Sequence, residues 1–178
     1  DSYSDGIGNT NLPPSRRRGL ELDGNWKMSD SLALRAAYTY TDARFREGLF
    51  AGGAFGTNFA NIQIAGKKVP LVPKQKANLT ASWAMATKTR LIGSVAYVAS
   101  QFMDNDEGNT LGATIPAYTV VDLKAVHEQG PWRLSAGINN LFDRQYFNYA
   151  VRSVATANAD RYNACLLYTS DAADDTPC

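Results

Sequence analysis

The stretch whose residue types most invite chemistry is Asp104-Asn105-Asp106-Glu107, four oxygen-bearing side chains in a row. A hard divalent cation is held by such oxygens, but the run lacks the full spacing of a calcium loop. It therefore reads as a solvated acidic tip, and no metal site is expected. His127 is the single histidine. Nucleophilic and general acid–base catalysis require a nucleophile, a base and a group that orients the base, close together. One histidine beside a turn offers no such set, so neither catalytic residues nor a cofactor are expected. The net charge of +1 gives no basic stripe for nucleic acid.

The elements that carry these residues are strands. Leu20, Leu22, Gly24, Trp26 and Met28 alternate with Glu21, Asp23, Asn25 and Lys27, a period of two that defines a strand over 19–28. Further strands are expected over 32–46, 74–85, 89–101 and 116–128, and a sixth begins at Trp132. Ser29–Ser31, Ala86–Lys88 and Gln129–Pro131 are short turns. Residues 1–18, 47–73 and 102–115 read as loops; 47–73, with five glycines and two prolines, is long enough to imply a function. Short turn and long loop alternate, so the strands are antiparallel, with all long loops at one end. Ile92 and Val98 break the alternation of their strand.

Strands of about 10–15 residues exceed the five or six usual in soluble proteins and suffice to cross a bilayer. Short turns on one side and long loops on the other match outer-membrane barrels. Trp26, Trp83 and Trp132 each lie near a short turn on the apolar parity, as one aromatic girdle would. Tyr38, Tyr40, Tyr97 and Phe142 lie toward the loops on the same parity, as the other girdle would. Ten strand steps separate Trp132 from Phe142; tilted by about 40°, they rise roughly 25 Å, the height of the apolar band. The expected fold is all-β, an antiparallel transmembrane β-barrel represented by about six strands. The competing fold is a soluble β-sandwich. Asn140 falls on the outward parity, so a bulge or the end of the apolar band is expected there.

The segment Gly137-Ile-Asn-Asn-Leu-Phe-Asp-Arg-Gln-Tyr146 resembles the C-terminal signature of TonB-dependent outer-membrane receptors. Within it Asn140, Leu141, Phe142, Asp143 and Tyr146 occupy the signature positions. Arg18-Gly-Leu-Glu21, Tyr38-Thr-Tyr-Thr-Asp42 and Val69-Pro-Leu-Val-Pro-Lys74 resemble three further family motifs, in the family's order. The resemblance implies a barrel of about 22 strands around an N-terminal plug, of which 1–164 would supply C-terminal strands without the final one. It implies an outer-membrane location and TonB-energised uptake of a ferric siderophore, cobalamin or similar chelate. The TonB complex would engage the N-terminal region, outside this chain. A passive porin-like or structural barrel is the alternative.

With that implied ligand, Phe50, Phe55, Phe59 and Phe102 either grip it from the loops or pack locally. Arg16, Arg17, Arg18, Arg152 and Arg161 either attract an anionic chelate or line a solvated rim facing lipopolysaccharide. Leu141 and Phe142 are expected to pack the barrel wall or rim. Finally, Cys165–Cys178 departs from all strand logic and resembles a translated transposon-type sequencing adapter, the alternative being a disordered acidic terminus. Setting it aside removes both cysteines and, with Asp171, Asp174 and Asp175 gone, raises the net charge from +1 to +4.

Overall fold

The computed structural model describes residues 2–4, 9–11, 13–52, 60–110, 112–152 and 160–164. In chain order the strands are β1 (Ser2–Ser4), β2 (Asn9–Asn11), β3 (Ser15–Lys27), β4 (Leu32–Phe45), β5 (Leu49–Gly52), β6 (Ala60–Gln63) and β7 (Gln75–Ala86). They continue as β8 (Thr89–Val98), β9 (Gln101–Phe102), β10 (Thr114–Ile115), β11 (Tyr118–Gln129), β12 (Trp132–Ile138), β13 (Phe147–Arg152) and β14 (Asp160–Ala164). Six of them form one antiparallel meander, in the order β12-β11-β8-β7-β4-β3. The sheet is a single layer, and the described strands do not close into a barrel.

The register shows why the layer needs no second sheet. Leu22 pairs with Tyr38, Tyr38 with Ala77, Ala77 with Tyr97, and Tyr97 with Thr119. Two residues along, Gly24, Ala36, Leu79, Val95 and Val121 make the next row. Both rows stay apolar except for Thr119 at the end of the first, because a side-chain period of two locks every strand's apolar set onto one face. Leu22 (56%), Trp83 (47%), Trp132 (72%) and Leu134 (63%) stand open on that face. A water-soluble protein rarely leaves so continuous an apolar surface uncovered; lipid is the solvent that covers it. The opposite face carries Glu21, Asp23, Arg35, Asn78, Arg90, Asp122 and Lys124. Two ion pairs cross it, Arg35–Asp23 at 3.5 Å and Arg133–Glu128 at 3.6 Å. Both are exposed and contribute little to stability.

The buried core lies at the long-loop end of the sheet. Ala43, Phe45, Ile64 and Val69 form one cluster, with Val72 against it. Met103, Ile115 and Ala150 form a second, flanked by Leu71, Ala113 and Phe147. Val120 and Val126 are buried on the polar face of β11, the face that also holds Ile92.

Several sequence expectations change. Arg16, Arg17 and Arg18 belong to β3, paired with Arg44, Ala43 and Asp42, and are not in a loop. Residues 47–73 are not structureless: Leu49–Gly52 pairs with Ala60–Gln63 as a hairpin. The expected strand 89–101 stops at Val98 and resumes as β9 against β10. β12 ends at Ile138, and Asn140 (φ 50°) and Asp143 (φ 48°) take left-handed backbone. The ten-step count from Trp132 to Phe142 therefore does not run along one strand.

Candidate functional site

At the loop end, three segments interlock into an outer cap. The 64–72 segment returns onto the end of β4: Phe45 N–H donates to Lys67 O, Gly66 N–H to Phe45 O, and Val69 N–H to Ala43 O. The Arg44 guanidinium ties the same corner, pairing with Asp42 at 2.9 Å and donating to Gly66 O at 3.0 Å. Leu71 N–H then donates to Phe102 O, joining this segment to the 101–115 loop. That loop joins β13 through Asp104 N–H to Ala150 O at 2.9 Å and Tyr149 OH to Asp104 Oδ2 at 2.8 Å. These bonds satisfy loop backbone that the sheet ladder cannot reach, and the two apolar clusters fill the space beneath.

The acidic run is where sequence and structure differ most. The expected solvated tip is buried: Asp106 is 2% and Glu107 1% exposed. Turn chemistry folds the run inward. Asn105 (φ 66°) and Asn109 (φ 50°) adopt the left-handed region that Asn tolerates. Asp106 accepts Thr110 N–H at 2.8 Å on its carboxylate and Asn109 N–H at 3.0 Å on its carbonyl. Asn109 exchanges bonds with Lys68, accepting its N–H at 2.7 Å and donating Nδ2–H to its carbonyl at 3.0 Å. Glu107 Oε2 and Gln101 Oε1 are buried without a hydrogen-bond partner. Burial, opposed by a bond from its own backbone and reinforced by the charges of Asp104 and Asp106, pushes the Glu107 carboxyl up from 4.5 to about 7. Burial, then the bond to Asp104 and its charge, push the Tyr149 phenol up to about 12, so it remains a donor. Among the described residues, no three His, Cys, Asp or Glu groups are placed to hold a metal ion.

Of the loop aromatics singled out in the sequence, Phe102 is the one whose side chain is described. Phe102 is half-buried, with Lys68 Nζ 5.6 Å from its ring centre. Phe50 lies on β5 opposite Ile62, and Arg152 ends β13 opposite Asp160. Their side chains, like Phe55, Phe59 and the tail 165–178, lie outside the described residues. Trp26 pairs with Leu34, Trp83 with Leu32 and Leu91, and Trp132 with Gln129, all at the short-turn end. Tyr38, Tyr40 and Tyr97 sit on the loop-side half of the same face, with Lys74 Nζ 5.3 Å from the Tyr40 ring. His127 is on that face too, held by Thr89 Oγ1 at 2.9 Å and Gln129 Oε1 at 3.3 Å. A hollow of about 690 Å³ there, walled by Trp26, Tyr38, Leu79 and Tyr97, opens toward lipid and not toward an aqueous ligand.

The corner at Asn140 is built by a residue that periodicity ranked only as polar. Asp122 on β11 accepts Asn140 N–H at 2.8 Å and Ser94 Oγ–H at 3.3 Å. Asn140 in turn brackets Arg144, accepting its N–H at 2.9 Å and donating to its carbonyl at 3.0 Å. Leu141 N–H donates to Val121 O, and the Tyr146 ring stacks on Tyr118 at 4.4 Å. Leu141 and Phe142 are 38% and 74% exposed. The sequence signal for Asp122 was a carboxylate on the polar face near the middle of its strand, which periodicity cannot pair with a residue 18 positions on.

A lipid-facing meander with a polar inner face and a packed outer cap defines the class as the wall of an outer-membrane β-barrel. The family model described as "TonB dependent receptor-like, beta-barrel" matches residues 1–141, and the chain belongs to that family. The ferrioxamine receptor of Yersinia enterocolitica is 27% identical over 136 residues, covering 72% of this chain and 17% of that protein. The solved siderophore receptor PiuA from Acinetobacter baumannii superposes with a TM-score of 0.64 at 26% identity, over 80% of this chain and 20% of its own. The ferric yersiniabactin uptake receptor FyuA from Yersinia pestis shares the fold, with a TM-score of 0.67 at 18% identity, over 89% and 23%. The chain thus spans about a fifth of the length of the relatives it matches.

Proposed function

We propose that this chain forms wall strands and outer cap of a receptor that imports a ferric siderophore or similar metal chelate, cobalamin included, energised through TonB. The observation that carries the reading is the family match over 1–141, on a sheet whose two faces separate lipid from a polar lumen. Relatives named for siderophores support the ligand class. TonB acts through parts of the receptor outside this chain. Phe50, Phe55, Phe59 and Arg152 are the proposed ligand contacts from the outer loops. Phe102 belongs with them through its place in the cap.

Trp26, Trp83 and Trp132 serve as the inner membrane girdle, and Tyr38, Tyr40 and Tyr97 as the outer one, against lipid and lipopolysaccharide. Asn140, Leu141, Phe142, Asp143 and Tyr146 are architectural, shaping the corner where β12 leaves the membrane. Residues 1–164 are the receptor sequence and 165–178 a technical addition, which resequencing of the gene would check. The functional test is uptake by cells expressing the full-length receptor, with ferric hydroxamate, catecholate and carboxylate chelates and cobalamin as probes. Uptake of one probe that vanishes without TonB is expected. Uptake that persists without TonB, with no saturable ligand, would indicate a passive channel.

A further inference from the structure

The buried carboxyl of Glu107 has no role in a lipid-facing wall. Its Oε2 lacks a hydrogen-bond partner, and no ion pair reaches it among the described residues. Its own backbone donates one bond to the carboxyl, but a buried carboxylate with one oxygen bare and no countercharge is still disfavoured against the neutral acid. The charges that act on it are negative, and the polar groups of the adjoining cap segments are engaged elsewhere. Its own loop supplies Asp104 and Asp106. β13 supplies Tyr149, whose hydroxyl is spent on Asp104. β9 supplies Gln101, whose Nε2 donates to Asn148 O. The 64–72 segment supplies Lys68, whose ammonium stands over the Phe102 ring.

The same loop is the keystone of the cap. It contributes Met103 (0% exposed) to the second apolar cluster, bonds to β13 through Asp104, and bonds to the 64–72 segment through Asn109. Charging Glu107 therefore loosens all three segments together. We propose that the Met103–Thr110 loop is a proton-operated latch: with Glu107 protonated it seats in the outer cap, and loss of that proton releases it. This reading is independent of which chelate the receptor carries.

The direction follows from linkage. The folded-state carboxyl titrates near 7 and the released one near its ordinary value of 4.5. The seated loop thus binds more protons between those values, and its stability falls as pH rises through that window. Below about pH 4.5 the full seating energy is present, and above about pH 7 no further loss occurs. Each pH unit climbed within the window multiplies the opening equilibrium by about ten, so a rise of roughly 10- to 100-fold is expected from pH 5 to 8.

The test is hydrogen exchange of the full-length receptor in detergent micelles, reading protection factors, which correct for intrinsic exchange, over 103–110. Wild type should lose protection from pH 5 to 8 by that factor, while β7 and β8 do not. Glu107→Gln, neutral at every pH, should abolish the dependence. Tyr149→Phe should lower protection at every pH but keep the dependence. A wild-type profile flat in pH, or a slope surviving in E107Q, would overturn the latch. The wild-type profile decides the matter even if E107Q fails to assemble.

Discussion

Replacing Asp122 by Ala should open the corner at Asn139–Tyr146 without melting the sheet. Asp122 is half-buried on the lumen face of β11 and accepts a 2.8 Å bond from Asn140 N–H. Asn140 holds a left-handed φ of 50°, a conformation that needs local support. A hydrogen bond to a charged acceptor contributes about 1.5–3 kcal/mol when buried. Here water replaces part of it, and the second bond, from Ser94 at 3.3 Å, is long. The expected loss is about 1–2 kcal/mol, a 5- to 30-fold rise in local opening. Asp122→Asn keeps a carbonyl acceptor in place and should cost well under half as much. The assay is hydrogen exchange over 139–146 in the full-length receptor, with urea unfolding as the global control. Unchanged protection in D122A would refute the reasoning. So would D122N behaving as badly as D122A, since charge and not the bond would then be at work. Protection lost evenly across the sheet would also refute it, because the corner would then be no local unit.

Other substitutions test the two faces and the topology. Leu79→Lys places a charge mid-sheet on the lipid face and should cost about 2–4 kcal/mol in urea titrations of folding into vesicles, whereas Thr80→Lys should be tolerated; equal costs would contradict the facing. An impermeant thiol reagent on intact cells should label Lys67→Cys but not Asp30→Cys, and labelling of both would place the turns and the cap on one side. Gly19→Ala should destabilise by about 1–3 kcal/mol, because a Cβ there would run into the carbonyl oxygen of Tyr40. Gly93→Ala, whose nearest neighbour would be Leu123 at 3.9 Å, should be nearly silent. If G93A costs as much as G19A, glycine is needed in these strands for some reason other than that close approach.

The wall strands were legible because their signal is periodic and local. Leu20 to Met28, Leu32 to Tyr40 and Leu79 to Met85 each repeat an apolar residue every second position, and lipid on one face enforces that repeat along each strand. The turn-side tryptophans and the order of motifs added the barrel and its family. The ends of the strands were less legible. Arg16–Arg18 extend β3 because β4 continues to Phe45 and offers them a paired edge, although nothing apolar marks them. Residues 60–63 looked like loop beside five glycines, yet pair with 49–52 once the chain turns back.

What the sequence determined by itself is the two-faced meander, the side on which the long loops lie, and membership of the receptor family, because each rests on neighbours in the chain. What only the tertiary structure decided is the outer cap. Whether Asp106 and Glu107 meet water depends on Met103, Ile115 and Ala150 packing beneath them and on Lys68 arriving from about 40 residues away. The role of Asp122 depends on Asn140 returning beside it. Burial and capping of this kind are set by contacts distant in sequence, and only those contacts turn an acidic run expected to face water into a buried carboxyl that holds its proton to about pH 7.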